Sequence, residues 1–347
     1  MEYTDGASSH HIHKDFLYLH TNPKMSSQIP RPALNPELAH VHQALPKIGM
    51  STKEELESYR QFLGSSFSLE DAIRGREDML SYEERDIPGP AGPMRATIFR
   101  PKNQTRRIED RPGVLCLHGG GLVSGNRFVG VIGMLDWVEP LSAILVTAEY
   151  RLAPEHPQPA ALEDSYAALQ WMNNHSTELG FNPHKLVVCG GSAGGNLAAG
   201  VTILARDRSG PKICAQVLMY PLLDDSNQGH SVQQFGDLAP WTGSNTFDAL
   251  RYALGENHEH ADIYTVPSRA TNLHSLPPTF IDVGEADAFR DEDVSYAANL
   301  WKSGVSTELH VWPGCWHGFD AFVPDAPISL QAGAVRLTWL KKVLENS

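Results

Sequence analysis

The chain has 347 residues, 41% of them hydrophobic and including 7 Trp, 12 Phe and 10 Tyr, enough apolar material for a sizeable core and too much for a disordered protein. Its 41 acidic residues outnumber 28 basic ones for a net charge of −13, with no basic run longer than Arg106-Arg107, so neither nucleic acid nor an anionic membrane surface is an expected partner. No apolar run is long enough to span a bilayer, and the opening MEYTDGASSHHIHKDF lacks the apolar stretch of a signal peptide, so a soluble, cytoplasmic protein is expected.

In chain order, the first residues are polar and proline-punctuated; His10, His11 and His13 are read as a solvated cluster without a role. From Pro36 to about Gly75 the pattern is helical, with Ser51 and Glu54 at capping-box spacing. After Tyr82 it changes to short β-rich runs near 82–87, 94–100, 114–118, 144–149, 185–189, 214–220, 279–284 and 307–312. The first two are close enough for an antiparallel pair. From the third onward the strands alternate with helical stretches at 160–175, 193–207, 291–303 and 327–345, which predicts a mostly parallel sheet covered on both faces. Residues 224–270 interrupt the alternation and carry a helix near Phe247 to Leu254, so they read as an insertion over the carboxyl edge of the sheet. The expected organisation is an N-terminal arm and cap helices (1–80), a core in two parts (81–223 and 271–347) and a cap insertion (224–270). Cys116, Cys189, Cys214 and Cys315 show no CxxC pairing, and the first three lie in apolar runs that suit reduced, buried thiols.

The chemistry concentrates at LVVCGGSAGGNLAA, where a strand runs into Gly190-Gly191-Ser192-Ala193-Gly194 and a helix runs out. A serine on such a turn needs neighbours without side chains so that strand and helix can pass closely. The same turn type cradles phosphates, but the P-loop lysine and the G-x-G-x-x-G spacing are both missing. A nucleophilic serine requires a base and an orienting acid, here expected in the order serine, acid, histidine. His317 follows the eighth strand in PGCWHGFDAF; Asp287 follows the seventh in GEADAFRDED, with Glu285 and Asp291 as rivals. The N–H groups of Ala193 and of the glycine loop in His118-Gly119-Gly120-Gly121 suit an oxyanion hole.

Together these stretches resemble the hormone-sensitive-lipase-like family of α/β-hydrolase carboxylesterases, with support from Tyr150-Arg151-Leu152-Ala153-Pro154-Glu155, Pro159, Asp164 and His317-Gly318-Phe319; the likeness covers roughly residues 85–345. The resemblance implies an α/β-hydrolase fold with an eight-stranded, mostly parallel sheet, and a helical cap from the N-terminus and from an insertion after the sixth strand. It also implies Ser192 as nucleophile, Asp287 as acid, His317 as base and Gly120, Gly121 and Ala193 as oxyanion donors. Arg151, Glu155 and Asp164 are expected in a buried polar brace. No metal or cofactor is implied, and a homodimer is possible within the family. The family commonly has Asp or Thr before the nucleophile, where this chain has Gly191. Trp241, Trp316 and Phe319 are candidates for an apolar pocket wall. The expected function is hydrolysis of short-to-medium acyl esters of small molecules. Lactone opening or acyl transfer is the alternative, and a ligand receptor on the same fold is disfavoured because that branch loses the histidine retained here as His317.

Overall fold

β1 (Leu80–Gly89) and β2 (Gly92–Pro101) form an antiparallel hairpin in the computed structural model, which describes residues 29–255 and 260–346. His10, His11 and His13 lie outside the described residues. The parallel strands are β3 (Gly113–Leu117), β4 (Ile144–Ala148), β5 (Leu186–Gly191), β6 (Ala215–Met219), β7 (Thr279–Gly284) and β8 (Thr307–Trp312). The sheet order is β1-β2-β4-β3-β5-β6-β7-β8, with β2 antiparallel to β4 and every pair from β4 to β8 parallel. All eight expected strands are present. Every residue of β3, β4, β6 and β7 is buried, as expected for a parallel sheet with both faces covered.

Three helices precede the sheet: α1 (Pro36–Ala44), α2 (Lys53–Ser66) and α3 (Leu69–Ile73). The crossovers contain α4 (Ile132–Leu135) and α5 (Val138–Leu141), α6 (Ala160–Asn174) and α7 (Ser176–Leu179), then α8 (Ala193–Asp207). α9 (His230–Phe235) and α10 (Gly243–Leu254) lie between β6 and β7; α11 (Arg290–Lys302), α12 (Phe319–Phe322) and α13 (Pro327–Glu345) complete the chain. No helix among the described residues is long and apolar enough to cross a membrane.

The capping box of α2 sits one residue later than the sequence suggested. Thr52 has the extended backbone of an N-cap and accepts from the Glu55 N–H at 3.2 Å, while Glu55 reaches back to the Thr52 N–H. Ser51 is still used, since its hydroxyl and N–H both donate to Glu55 Oε2, at 2.6 and 2.9 Å.

The N-terminal helices and the segment between β6 and β7 meet through buried polar contacts. Tyr59 Oη donates to the Pro240 carbonyl at 3.3 Å, Asn245 to Ile48 at 3.1 Å and Tyr252 to Met50 at 3.0 Å. Arg60 ties α2 to the core: its Nε donates to the Val123 carbonyl at 2.7 Å and its guanidinium forks onto Glu155 at 2.8 and 2.7 Å. The Arg60 hydrogen bonds hold Glu155 at about 2, so this attachment is complete above the usual glutamate value of 4.5 and is lost as pH falls toward 2.

The expected brace divides accordingly. Arg151 grips the buried Asp164 through Nε and Nη2, both at 2.8 Å, but Glu155 is half exposed and serves α2, not the interior. Among the thiols, Cys116, Cys189 and Cys315 are buried and Cys214 only partly so, which corrects the expectation for Cys214.

Candidate active site

β5 delivers Ser192 to the carboxyl edge of the sheet, in a turn with φ 57° and ψ −123°, and α8 begins at the next residue. A non-glycine residue at positive φ is strained, and the surroundings hold it there. Its N–H donates to the Met219 carbonyl at 2.9 Å, and its carbonyl accepts from Leu222 at 3.1 Å, so the end of β6 clamps the turn. The glycines around it are steric clearance. A Cβ on Gly194 would lie 2.0 Å from the Leu117 carbonyl oxygen, and one on Gly190 would lie 2.3 Å from the Gly194 backbone. Because backbone cannot yield as a flexible side chain does, Gly194→Ala is expected to lower stability by ~3 kcal/mol or more in urea unfolding, the upper range for overpacking in a filled core.

His317 comes from the loop between β8 and α12, and Asp287 from the loop after β7. The Asp287 Oδ2 accepts from His317 Nδ1 at 2.8 Å, which leaves the Nε2 lone pair for the Ser192 hydroxyl at 2.9 Å. Asp287 is 1% exposed and His317 11%, so the pair is shielded while the serine side remains open to a small cavity. Asp287 Oδ1 is held in turn by the Phe289 N–H at 2.9 Å. The rival acids are committed elsewhere: Glu285 accepts from the Gly314 N–H at 2.9 Å and Asp291 from the Ser231 N–H at 2.8 Å. Chain order alone left these three acids in competition; of the three, Asp287 is the one that the structure brings to His317.

The glycine loop after β3 passes beside the serine. Gly120 and Gly121 have φ of +119° and +65°, and the loop is fixed by Ser124, whose hydroxyl and N–H donate to the Gly120 carbonyl at 2.7 and 2.9 Å. Among the described residues, nothing accepts from the N–H groups of Gly120, Gly121 or Ala193. The Ala193 N–H is one of the donors that a helix leaves without an internal partner at its positive end. His118 supports the loop without facing the serine: its ring stacks on Tyr150 at 4.0 Å, its Nδ1 donates to the Gly119 carbonyl at 2.8 Å, and burial lowers its pKa, so it is neutral.

The cavity over Ser192 has a volume of about 60 Å³, and its lining includes Tyr59, Phe67, Gly120, Tyr220, Trp241 and Phe322. Its walls come from the N-terminal helices, from the segment after β6 and from α12. Of the three pocket residues expected from sequence, Trp241 is in the wall: its indole N–H donates to Thr246 at 2.8 Å, and a Cβ on Gly121 would come within 2.0 Å of its ring. Trp316 and Phe319 are not. Both are fully buried in a satellite cluster with Leu38, Trp312 and Ala326, because the turn at His317 points its neighbours away from the cavity. Sequence reading missed Tyr59, Phe67, Tyr220 and Phe322. Tyr59 and Leu63 did carry a signal, as an i, i+4 pair on the apolar face of α2.

Beneath the site lies a buried acid, Asp293, with no hydrogen-bond partner among the described residues. Burial, and then the nearby Glu292, Asp287 and Asp282, push its pKa well above the usual 3.8. An acid raised in the fold favours folding below its unfolded pKa and loses that contribution as pH rises. Asp293→Asn is therefore expected to raise Tm more at about pH 8 than at about pH 5, read by calorimetry at both values.

Among the described residues, no group of three His, Cys, Asp or Glu is arranged to hold a metal ion. The larger hollow, of about 470 Å³, lies at the opposite edge of the sheet around Asn174, His184 and Lys212 and contains none of the residues above.

The sheet order, the serine turn leaving β5 and the helical layer above it define the α/β-hydrolase class of fold. A family model described as alpha/beta hydrolase fold matches residues 114–321, and the chain belongs to that family, in its hormone-sensitive-lipase-like branch. Esterase LipI of Mycobacterium tuberculosis is 34% identical over 91% of this chain and 97% of its own length. Carboxylesterase NlhH of the same species is 36% identical over 68% of this chain and 75% of its own. Among solved structures, a bacterial heroin esterase is similar at a TM-score of 0.82, with 33% identity over 90% of this chain and 98% of its own. Esterase LipW from Mycobacterium marinum is similar at 0.81, also with 33% identity, over 90% and 98%. The protein is a carboxylic ester hydrolase.

Proposed function

We propose that the chain hydrolyses short-chain acyl esters through an acyl-enzyme on Ser192, with His317 as general base and acid and Asp287 as the group that orients it. The observation that carries this reading is the continuous hydrogen-bonded line from Asp287 through His317 to Ser192, at 2.8 and 2.9 Å. As Ser192 attacks the ester carbonyl, His317 Nε2 takes its proton and the imidazolium is stabilised by the Asp287 carboxylate. The developing oxyanion is met by the N–H groups of Gly120, Gly121 and Ala193, already free of protein acceptors and fixed before substrate arrives. His317 then returns the proton to the leaving alcohol. Water, activated by the same nitrogen, attacks the acyl-enzyme and restores the serine.

The size of the substrate follows from the cavity. At about 60 Å³ it is far below the ~300–1,000 Å³ of a site for a drug-sized ligand, which supports an acetyl to butyryl group as the acyl part. We assign the N-terminal helices and the segment between β6 and β7 the role of a cap that sets this limit, with Trp241 as its end wall. The four unpaired thiols accord with work in the reducing cytoplasm.

Activity on p-nitrophenyl esters of graded acyl length tests the assignment. The wild type is expected to fall ~10-fold or more between butyrate and octanoate, and Trp241→Ala to move the optimum toward longer acyl groups by removing the wall. An unchanged length profile in a folded Trp241→Ala variant would contradict the role given to this side chain.

A further inference from the structure

We propose that Tyr220 is a positioning residue that holds His317 in line with Ser192, and that Gly191 is small because Tyr220 occupies the space beside it; the proposal rests on the Ser192–His317–Asp287 reading above. Tyr220 directly follows β6 and sits at φ +37°, in a region that side chains rarely adopt. Its N–H donates to the Asp282 carbonyl at 2.6 Å, and its ring lies edge-on to His317, with centroids 5.1 Å apart at 71°. Phe289 makes the other ring contact with His317, at 4.9 Å and 81°. The imidazole thus has two aromatic neighbours from two different strand ends.

What distinguishes Tyr220 from Phe289 is its hydroxyl. It donates at 2.9 Å to Oδ1 of Asp320, which lies in α12 just beyond His317. The other Asp320 oxygen pairs with the buried Arg336 of α13, and Arg336 Nε donates to Asp282 Oδ2 of β7 at 2.9 Å. Trp312, the last residue of β8, donates to that same oxygen at 2.8 Å. The line Tyr220, Asp320, Arg336, Asp282 therefore ties the downstream end of the His317 loop to β6, β7 and β8. That loop turns at Gly314 and Gly318, both at positive φ, and α12 is a single turn, so these bonds supply the restraint that the backbone lacks. Burial, and then Asp320, raise the phenol of Tyr220 far above its usual value, so it remains a donor.

Gly191 completes the case. The other glycines of the turn are required by backbone or by Pro221: a Cβ on Gly190 or Gly194 meets main chain, and one on Gly195 meets Pro221 at 2.7 Å. Gly191 has no positive φ, and its Cβ would meet the Tyr220 ring, at 3.0 Å from Cε2 and 3.4 Å from Oη. A side chain there would therefore require the Tyr220 ring to shift by a few tenths of an ångström, and with it the partner of Asp320.

The test compares wild type, Tyr220→Phe and Gly191→Ala, counting active sites with a phosphonate ester and measuring kcat and KM for p-nitrophenyl acetate over about pH 5 to 9. Tyr220→Phe is expected to lower kcat per titrated site by ~10- to 100-fold with KM changed less than ~2-fold, the pattern of a mispositioned base. Gly191→Ala, which deletes no hydrogen bond, is expected to lower kcat per titrated site by a smaller factor with KM again little changed, and it decides the matter if Tyr220→Phe does not fold. A folded Tyr220→Phe with kcat per site within ~2-fold of wild type would overturn the proposal, as would a rise in KM at constant kcat, the mark of a simple substrate contact. Failure of the phosphonate to titrate the wild type would instead sink the Ser192 reading beneath it.

Discussion

Ser192→Ala is expected to lower kcat for p-nitrophenyl acetate by ~10⁴-fold or more, down to what the oxyanion donors and substrate binding alone supply. The size of the effect follows from the arrangement: among the described residues, the hydroxyl hydrogen-bonded to His317 Nε2 is that of Ser192, at 2.9 Å. The fold should survive, because the turn is held by backbone bonds to Met219 and Leu222 that alanine keeps. Far-UV circular dichroism and Tm close to wild type, together with the lost turnover, are the expected combination. His317→Ala should approach the same floor, since members of such a unit are not additive. Asp287→Asn should fall by ~10⁴-fold through stabilisation of the wrong imidazole tautomer.

The second large effect concerns stability. Arg336 is 2% exposed and lies between the fully buried Asp282 and the nearly buried Asp320. Burial works against its charge, but the two carboxylates hold it protonated, while burial pushes Asp282 upward against the pull of Arg336. Removing the guanidinium leaves two acids without their shared partner, so Arg336→Leu is expected to destabilise the fold by ~3–5 kcal/mol, the range for breaking a buried ion pair from one side. For a chain of this size that corresponds to a drop in Tm of roughly 4–7 °C, measured by calorimetry. The effect should shrink as pH falls, because protonation relieves the orphaned Asp282, which burial already raises above the usual 3.8. A variant within ~1 kcal/mol of wild type at neutral pH would show that the acids find other partners.

The sheet was legible in the sequence because β3 to β7 are short, mostly apolar runs, each followed by a break in pattern, and burial on both faces demands that composition. The apposition of Ser192, His317 and Asp287 was legible for a related reason: in a parallel sheet the residues beyond successive strand ends converge on one edge, so chain order carries geometry. Directions within loops were not legible. Trp316 flanks His317 yet points into the satellite core, while Phe322 lines the cavity. Nothing in the spacing of PGCWHGFDAF separates the two, because a tight turn reorients each successive side chain. The α2 cap slipped by one residue for a similar local reason, since Ser51-Thr52 offers adjacent hydroxyls and the backbone at Thr52 decides between them. The packing of Tyr220 against Gly191 was not legible either, because the two stand on different strand ends and meet only in the tertiary structure.

The central claim is an acyl-enzyme on Ser192, and its most direct measurement is peptide mass mapping after the enzyme is labelled with a fluorophosphonate. The account predicts one adduct, on the peptide that contains Ser192, formed rapidly in the wild type, slowed sharply in His317→Ala and absent in Ser192→Ala. An adduct on any other residue, or ester turnover that persists with Ser192 fully labelled, would contradict it.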